Sequence, residues 1–276
     1  MIPRLQHSSD LRSLSFLGLM LILLALHFSG AVTSAWIFLL TCPLAFICCI
    51  IAHNHIHAGT FRQKRWNNGL SLLIMLGIGQ PPTGIITAHN ERHHEEMGSD
   101  KDFVKTSLAR HSNNFLNLIL FPFFSVAKMY REKPSDLKAW KKRRPKLYRQ
   151  AVLERAVFYS VILALLVINW KQTLLTFAIP WVFGQYCLIA INLLQHQDCD
   201  HDSDWNHSRN LTGKIGNWFL LNNGYHTAHH LKPAMHWSLL PEYHRNHVQP
   251  HMDPTLNHKS LSHLIWCRIN RPTRHA

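Results

Sequence analysis

Three histidine clusters hold most of the residues in this chain that could do chemistry. His226, His229 and His230 lie in N-N-G-Y-H-T-A-H-H-L, residues 222–231. At about 100° per residue on a helix, these imidazoles fall within an arc of roughly 100° and form one face. The second cluster, A-H-N-E-R-H-H-E-E at 88–96, puts His89 and His93 on one helical face, with His94 about 100° beyond. Adjacent imidazoles there can reach two different metals, and Glu91, Glu95 and Glu96 could orient ring N–H groups or simply be solvated. The first cluster is I-A-H-N-H-I-H-A-G at 51–59. His53 and His57 stand one turn apart on a shared face, while His55 points about 160° away, behind the ligands or toward lipid head groups. Imidazole is a neutral nitrogen donor suited to iron, zinc and copper, and the chain has neither H-E-x-x-H nor a C-x-x-C pair.

The clusters supply eight imidazoles, and His196 makes nine. One tetrahedral zinc takes four ligands, so two metals sharing these nitrogens fit better. The absence of an evident nucleophile or paired-carboxylate core points to iron and dioxygen rather than hydrolysis. Breaking an unactivated C–H bond is beyond a side-chain acid or base. Iron with oxygen can do it, provided the protein supplies placement and excludes water.

Apolar segments must position these residues. A mean hydropathy near zero hides strong segregation. Residues 11–29 and 32–52 are apolar and separated only by Gly30 and Ala31; 152–170 and 174–194 form a second pair. Each is close to the roughly 20 residues that cross a bilayer core. The second apolar stretch follows the first at once, so a cleaved signal peptide is not expected. Of 29 Lys and Arg, only Lys171 lies in either short turn, which places both termini and every histidine cluster on the cytoplasmic side of four crossings. The predicted fold is all-α and integral to the membrane: four transmembrane helices in two hairpins, with a cytoplasmic helical cap at about 53–151 and 195–276, all in a single domain, 1–276.

Other segments refine this picture. Gly77, Gly79, Pro81, Pro82 and Gly84 interrupt the apolar run 69–87, predicting a short helix and then a break partly in or along the membrane. Residues 113–130, rich in Phe, predict an interfacial helix. K-K-R-R-P-K at 141–146 is a juxtamembrane basic face suited to anionic lipid, or to docking an acidic carrier or electron donor. His196 emerges at the membrane exit, and His201, Asp202 and Trp205 follow in a polar loop that shapes the site. Pro233, His236, Trp237, Leu240 and Pro241 predict a turn and a lid. His244, His247, His251, His258, His263 and His275 lack repeated helical spacing and are read as surface residues. Six cysteines without pairing signatures read as reduced thiols. Nothing in the pattern calls for nucleic acid.

From about His53 to His251, the three boxes in order on this membrane pattern resemble the membrane fatty acid desaturases and hydroxylases, integral di-iron enzymes. L-L-Q-H-Q-D-C-D-H-D-S-D-W, followed by Arg209, is similar to the stretch before the last box of acyl-lipid desaturases, and H-T-A-H-H-L is close to that box. The resemblance implies that His53, His57, His89, His93, His94, His226, His229 and His230 ligate two irons, with His196 as an extra ligand. Asn222, Asp202, Trp205, Arg209 and Glu95 would then support them. It implies O2-dependent desaturation of a fatty acyl chain linked to CoA, a carrier protein or a lipid. Electrons would come from an external ferredoxin or cytochrome with its reductase. Hydroxylation, carotenoid ketolation and olefin-forming decarboxylation occur on the same scaffold, and G-Y-H-T-A-H-H-L-K-P also looks like the last box of carotenoid ketolases. A membrane metal carrier without a reaction is the alternative of a different class. The second box departs from acyl-lipid desaturases in having three residues, not the usual two, between its first two histidines, and the first carries His55 in its middle.

Overall fold

The computed structural model describes residues 2–132 and 136–270, so His275 lies outside it. The chain is mostly helical. Helices α1 (Asp10–Phe28), α2 (Phe38–His57), α3 (Lys64–Ile78) and α4 (Thr83–Ile86) come first, followed by α5 (Asn114–Glu132) and α6 (Asp136–Arg143). Helices α7 (Pro145–Thr173) and α8 (Ile179–His196) are joined by a π-helical turn, Leu174–Ala178. Short helices α9 (Lys214–Phe219), α10 (His226–Leu231), α11 (Leu240–Tyr243) and α12 (Leu261–Ile269) follow, with strands β1 (Asn210–Leu211) and β2 (Asn257–His258) paired in parallel. Contacts divide the chain into two compact units, Met1–Thr87 with Ser135–Cys187, and Ala88–Pro134 with Leu188–Ala276.

In the first unit α1, α2 and α3 pack on one another around Met20, Ala45, Cys48, Ala52 and Ile74. The chain reverses between α1 and α2 at Gly30, whose φ of 78° suits a residue without Cβ. Large apolar side chains elsewhere stay outside: Val167 is 79% exposed, Ile168 71%, Val182 68% and Leu39 64%. Apolar exposure on this scale is what a lipid-facing surface looks like. Asp10–Phe28, Ala35–His57 and Pro145–His196 are each long and apolar enough to cross a membrane; α3 with Thr83–His94, bent by 83°, makes a fourth if counted as one span.

The stretch Pro145–His196 carries the turn that the sequence placed at 170–174. A straight helix of its 52 residues would run about 78 Å. The rings of Phe158 and Trp181 nevertheless lie with centroids 5.9 Å apart. The chain therefore folds back, and Asn169, with φ −159° and ψ 91°, is where helical geometry fails. Its side-chain oxygen accepts from the Gln172 amide at 3.0 Å, restarting the helix.

The break after α3 matches its sequence reading, and side chains satisfy it. Gly79 closes the helix in the left-handed region, with its N–H donating to Met75 at 2.9 Å. Trp181 Nε1 donates to the Leu76 carbonyl and Gln185 Nε2 to the Ile78 carbonyl, each at 2.8 Å. Across the break, buried Glu154 accepts from Thr83 N at 2.9 Å and Thr83 Oγ1 at 2.6 Å. Backbone groups freed by a break in an apolar setting need such partners.

In the second unit, α5 carries its apolar side chains on both faces, with Phe121 buried and Phe123 61% exposed. Arg268 of α12 is buried and paired with Asp198, and Asn114 of α5 donates to the Arg268 carbonyl at 2.9 Å. The β1–β2 pair links residues 210–211 to 257–258.

Candidate metal centre

Residues Thr87–His94 form a π-helix, not the α-helix assumed from spacing. Its i→i+5 pitch changes which imidazoles meet. His89 lies nearest His94, with Nε2 atoms 3.0 Å apart, while the His89 and His93 rings stand 5.6 Å apart by centroid. The wider turn thus sends His93 in one direction and the His89–His94 pair in another.

His93 is buried, and its Nδ1 lies 3.3 Å from Asp102 Oδ2. Its Nε2 is buried without a hydrogen-bond partner. Asp102 fixes the ring as an Nδ1–H donor, which leaves the Nε2 lone pair for another purpose. His196, at the end of α8, follows the same logic. Its Nδ1 donates to the His207 carbonyl at 3.0 Å, and its Nε2 lies 2.8 Å from Nε2 of His226.

Helix α10 carries the remaining three. Asn210 of β1 holds its first turn: Asn210 Oδ1 accepts from Thr227 N at 3.0 Å and its Nδ2 donates to Thr227 Oγ1 at 2.9 Å. Leu221 and Asn222 before the helix both sit at positive φ, 47° and 58°, a conformation that Asn tolerates and Leu rarely adopts. His230 Nε2 is 3.1 Å from His226 Nε2, and His229 Nε2 is 3.1 Å from His94 Nε2.

Two groups result within this unit. His93, His196, His226 and His230 can each bring one ring nitrogen within 4.8 Å of the others. His89, His94 and His229 adjoin them, the His94 and His230 rings stacking at 4.3 Å. So many imidazoles cannot all be protonated at close range. Burial, and then repulsion from His94, His226, His196 and His93, holds His230 well below the ordinary imidazole pKa. Neutral imidazoles are the form that binds metal. His53 and His57 pair in the other unit, on the last turn of α2, with ring centroids 5.2 Å apart.

The predicted supporting residues divide. Arg209 is buried, and donates to the Leu194 carbonyl at 3.3 Å and to the Gln197 carbonyl, closing the end of α8 beside His196. Asn222 Nδ2 donates to the Trp237 carbonyl at 3.2 Å. Trp205 packs on His251 at 4.9 Å. Glu95 and Asp202 have exposed side chains, and the carboxylate that meets a cluster ring is Asp102 instead. His55 is bonded within its own unit, Nε2 lying 3.1 Å from both the Asn67 carbonyl and Ser71 Oγ. His201 stacks beside His196 at 6.0 Å, and the glycine at 98, with φ 75°, leaves it room.

Sequence reasoning missed His207, which is buried, contacts His230 at 5.3 Å and has no partner for Nε2. Burial, with His201 adding repulsion, lowers its pKa. The surface reading of the tail holds for His247, His251 and His263 but fails for His244 and His258, which are buried. His244 opens a π-helical turn, His244–Val248, and His258 ends the two-residue strand β2, elements too short to leave a periodic signal.

Apolar helices and clustered, carboxylate-braced imidazoles define a membrane-type helical protein with a histidine-built site compatible with metal. The family model for fatty acid desaturase matches residues 28–259, and the chain belongs to that family. None of the curated proteins compared with it matches.

Proposed function

We propose that this chain is an O2-dependent desaturase of fatty acyl chains, working at two irons held by His53, His57, His89, His93, His94, His196, His226, His229 and His230. The observation that carries this reading is the convergence of His93, His196, His226 and His230 beside His89, His94 and His229, with the lone pairs of His93 and His196 aimed inward. Family membership supports the substrate class.

The donor set fits iron. Ring nitrogens in contact lie 2.8–3.1 Å apart. Neutral imidazole nitrogens gathered at this spacing are a donor set that iron takes. His53 and His57 would complete the second set of ligands.

Bound iron with O2 would supply the oxidising power for removing hydrogen from an unactivated chain. The balance is a –CH2–CH2– segment, O2, two electrons and two protons giving –CH=CH– and two waters. Asp102 and the His207 carbonyl keep His93 and His196 in the metal-binding tautomer, and burial, with neighbouring imidazoles, keeps His230 neutral. The apolar helices would hold the acyl chain. Electrons would come from a separate ferredoxin or cytochrome with its reductase. The distribution of Lys and Arg supports cytoplasmic termini and a cytoplasmic site.

Expression in a host followed by mass spectrometry of its lipids tests the proposal. A new double bond in the acyl pool is expected, together with about two irons per chain. An added oxygen would replace desaturation with hydroxylation or ketolation, and a lost carbon with decarboxylation.

A further inference from the structure

A second cluster of ligand-type side chains lies in the last turns of the described chain and shares no residue with the histidine centre. His258 ends β2, and His263 and Cys267 stand at i and i+4 on α12. The three can each offer one ligand atom, all within 4.8 Å of one another. His258 and His263 bring their Nδ1 atoms to 3.4 Å, and Cys267 Sγ lies 3.5 Å from His263 Nε2. His258 is buried, Cys267 half-buried and His263 exposed, so one side of the cluster opens to solvent.

We propose that His258, His263 and Cys267 bind a single zinc ion, with water as the fourth ligand. Two imidazoles and a thiolate are a zinc donor set. His263 offers one of its two ring nitrogens to the ion, and a set of one ligand atom from each of the three residues lies within 4.8 Å. Binding exchanges the thiol proton for the metal: Zn2+ and Cys–SH give Zn–S bonded cysteine and one proton released to solvent.

The fold gives this ion a purpose. His258 pairs with Leu211, and its carbonyl accepts from Thr212 N at 2.8 Å. The neighbouring Asn210 holds Thr227, the second residue of the helix carrying His226, His229 and His230. Zinc tying α12 to β2 would therefore brace that helix from behind.

The test uses the full chain purified without chelator, with iron and zinc measured on the same sample. One zinc per chain is expected, lost in Cys267→Ser while iron content stays at the parental level. In case that variant fails to fold, the parent is loaded with Co2+ instead. A thiolate-to-cobalt charge-transfer band with intense tetrahedral ligand-field bands supports the site. Absence of retained zinc together with absence of that band overturns it, as does zinc undiminished in a folded Cys267→Ser protein.

Discussion

Replacing Asp102 by asparagine isolates the contribution of one carboxylate to the histidine centre. Asp102 is 1% exposed; its Oδ2 faces His93 Nδ1 at 3.3 Å and accepts from Gly98 N at 3.1 Å, while Oδ1 accepts from Val104 N at 2.9 Å. An amide has one acceptor oxygen where the carboxylate has two. Turned toward Val104, it sets its NH2 against the Gly98 N–H and the Nδ1 of His93. That pushes the His93 proton to Nε2, the atom needed for metal. Turned the other way, it leaves the Val104 N–H facing a donor. Either orientation strands a backbone donor, a cost of about 1–3 kcal/mol in stability. Loss of an outer-shell carboxylate typically lowers metal affinity or activity about 10–100-fold. The assay is double-bond formation in membranes, read with iron content and thermal unfolding. Glu96→Gln is the control, since this neighbouring carboxylate pairs with Lys101 near the surface and should leave all three unchanged. Asp102→Asn retaining full iron and activity within about twofold of parent would refute the role of the carboxylate in holding the His93 tautomer.

Other outcomes follow from the same geometry. His229→Ala should abolish product in membranes while circular dichroism retains the helical signal; turnover at parental rate would remove His229 from the centre. Gly184→Ala gains about 1 kcal/mol of helix propensity but places a Cβ 2.7 Å from the Ala45 carbonyl carbon, an overlap costing about 1–3 kcal/mol, so thermal unfolding should show a net loss of up to about 2 kcal/mol. Glu154→Ala strips the acceptor from Thr83 N and Oγ1 and should lower stability by about 1–3 kcal/mol in detergent. Burial pushes His244 down to about 4, so the folded state resists protonation there while the unfolded chain accepts it near 6.5. The stabilising contribution is complete above about 6.5 and fades as pH drops toward 4; a His244→Phe variant should flatten that limb in unfolding measured against pH.

The elements most legible in the sequence were those with a strong period or strong punctuation. The apolar runs gave α1 and α2, Gly30 gave their reversal, and Gly79 with Pro81 and Pro82 gave the break. Of the histidines that converge in the second unit, His89, His93, His94, His226, His229 and His230 were legible by spacing and His196 by its place at the membrane exit, while His207 was not. Two features escaped for separable reasons. The π-pitch of Thr87–His94 is invisible to a calculation that assigns 100° to every residue, so the His89–His94 contact was not foreseen. Asp102 sits eight residues beyond His94, after a left-handed turn at Gly98, and no local periodicity connects it to His93. Arg209, by contrast, was found by position, and its work of closing α8 depends on the long-range return of the chain.

The pitch of Thr87–His94 also bears on how such motifs tolerate changes in length. A π-turn is what an α-helix becomes when it swallows an additional residue without unwinding its neighbours. The H-x-x-x-H-H motif lies wholly within this π-helical stretch, whose wider turn leaves His89 and His94 in mutual reach. Shortening the chain by one residue between Asn90 and Arg92 would let the coil relax to ordinary dimensions. A search template written for one spacing alone would pass over proteins whose donors meet equally well.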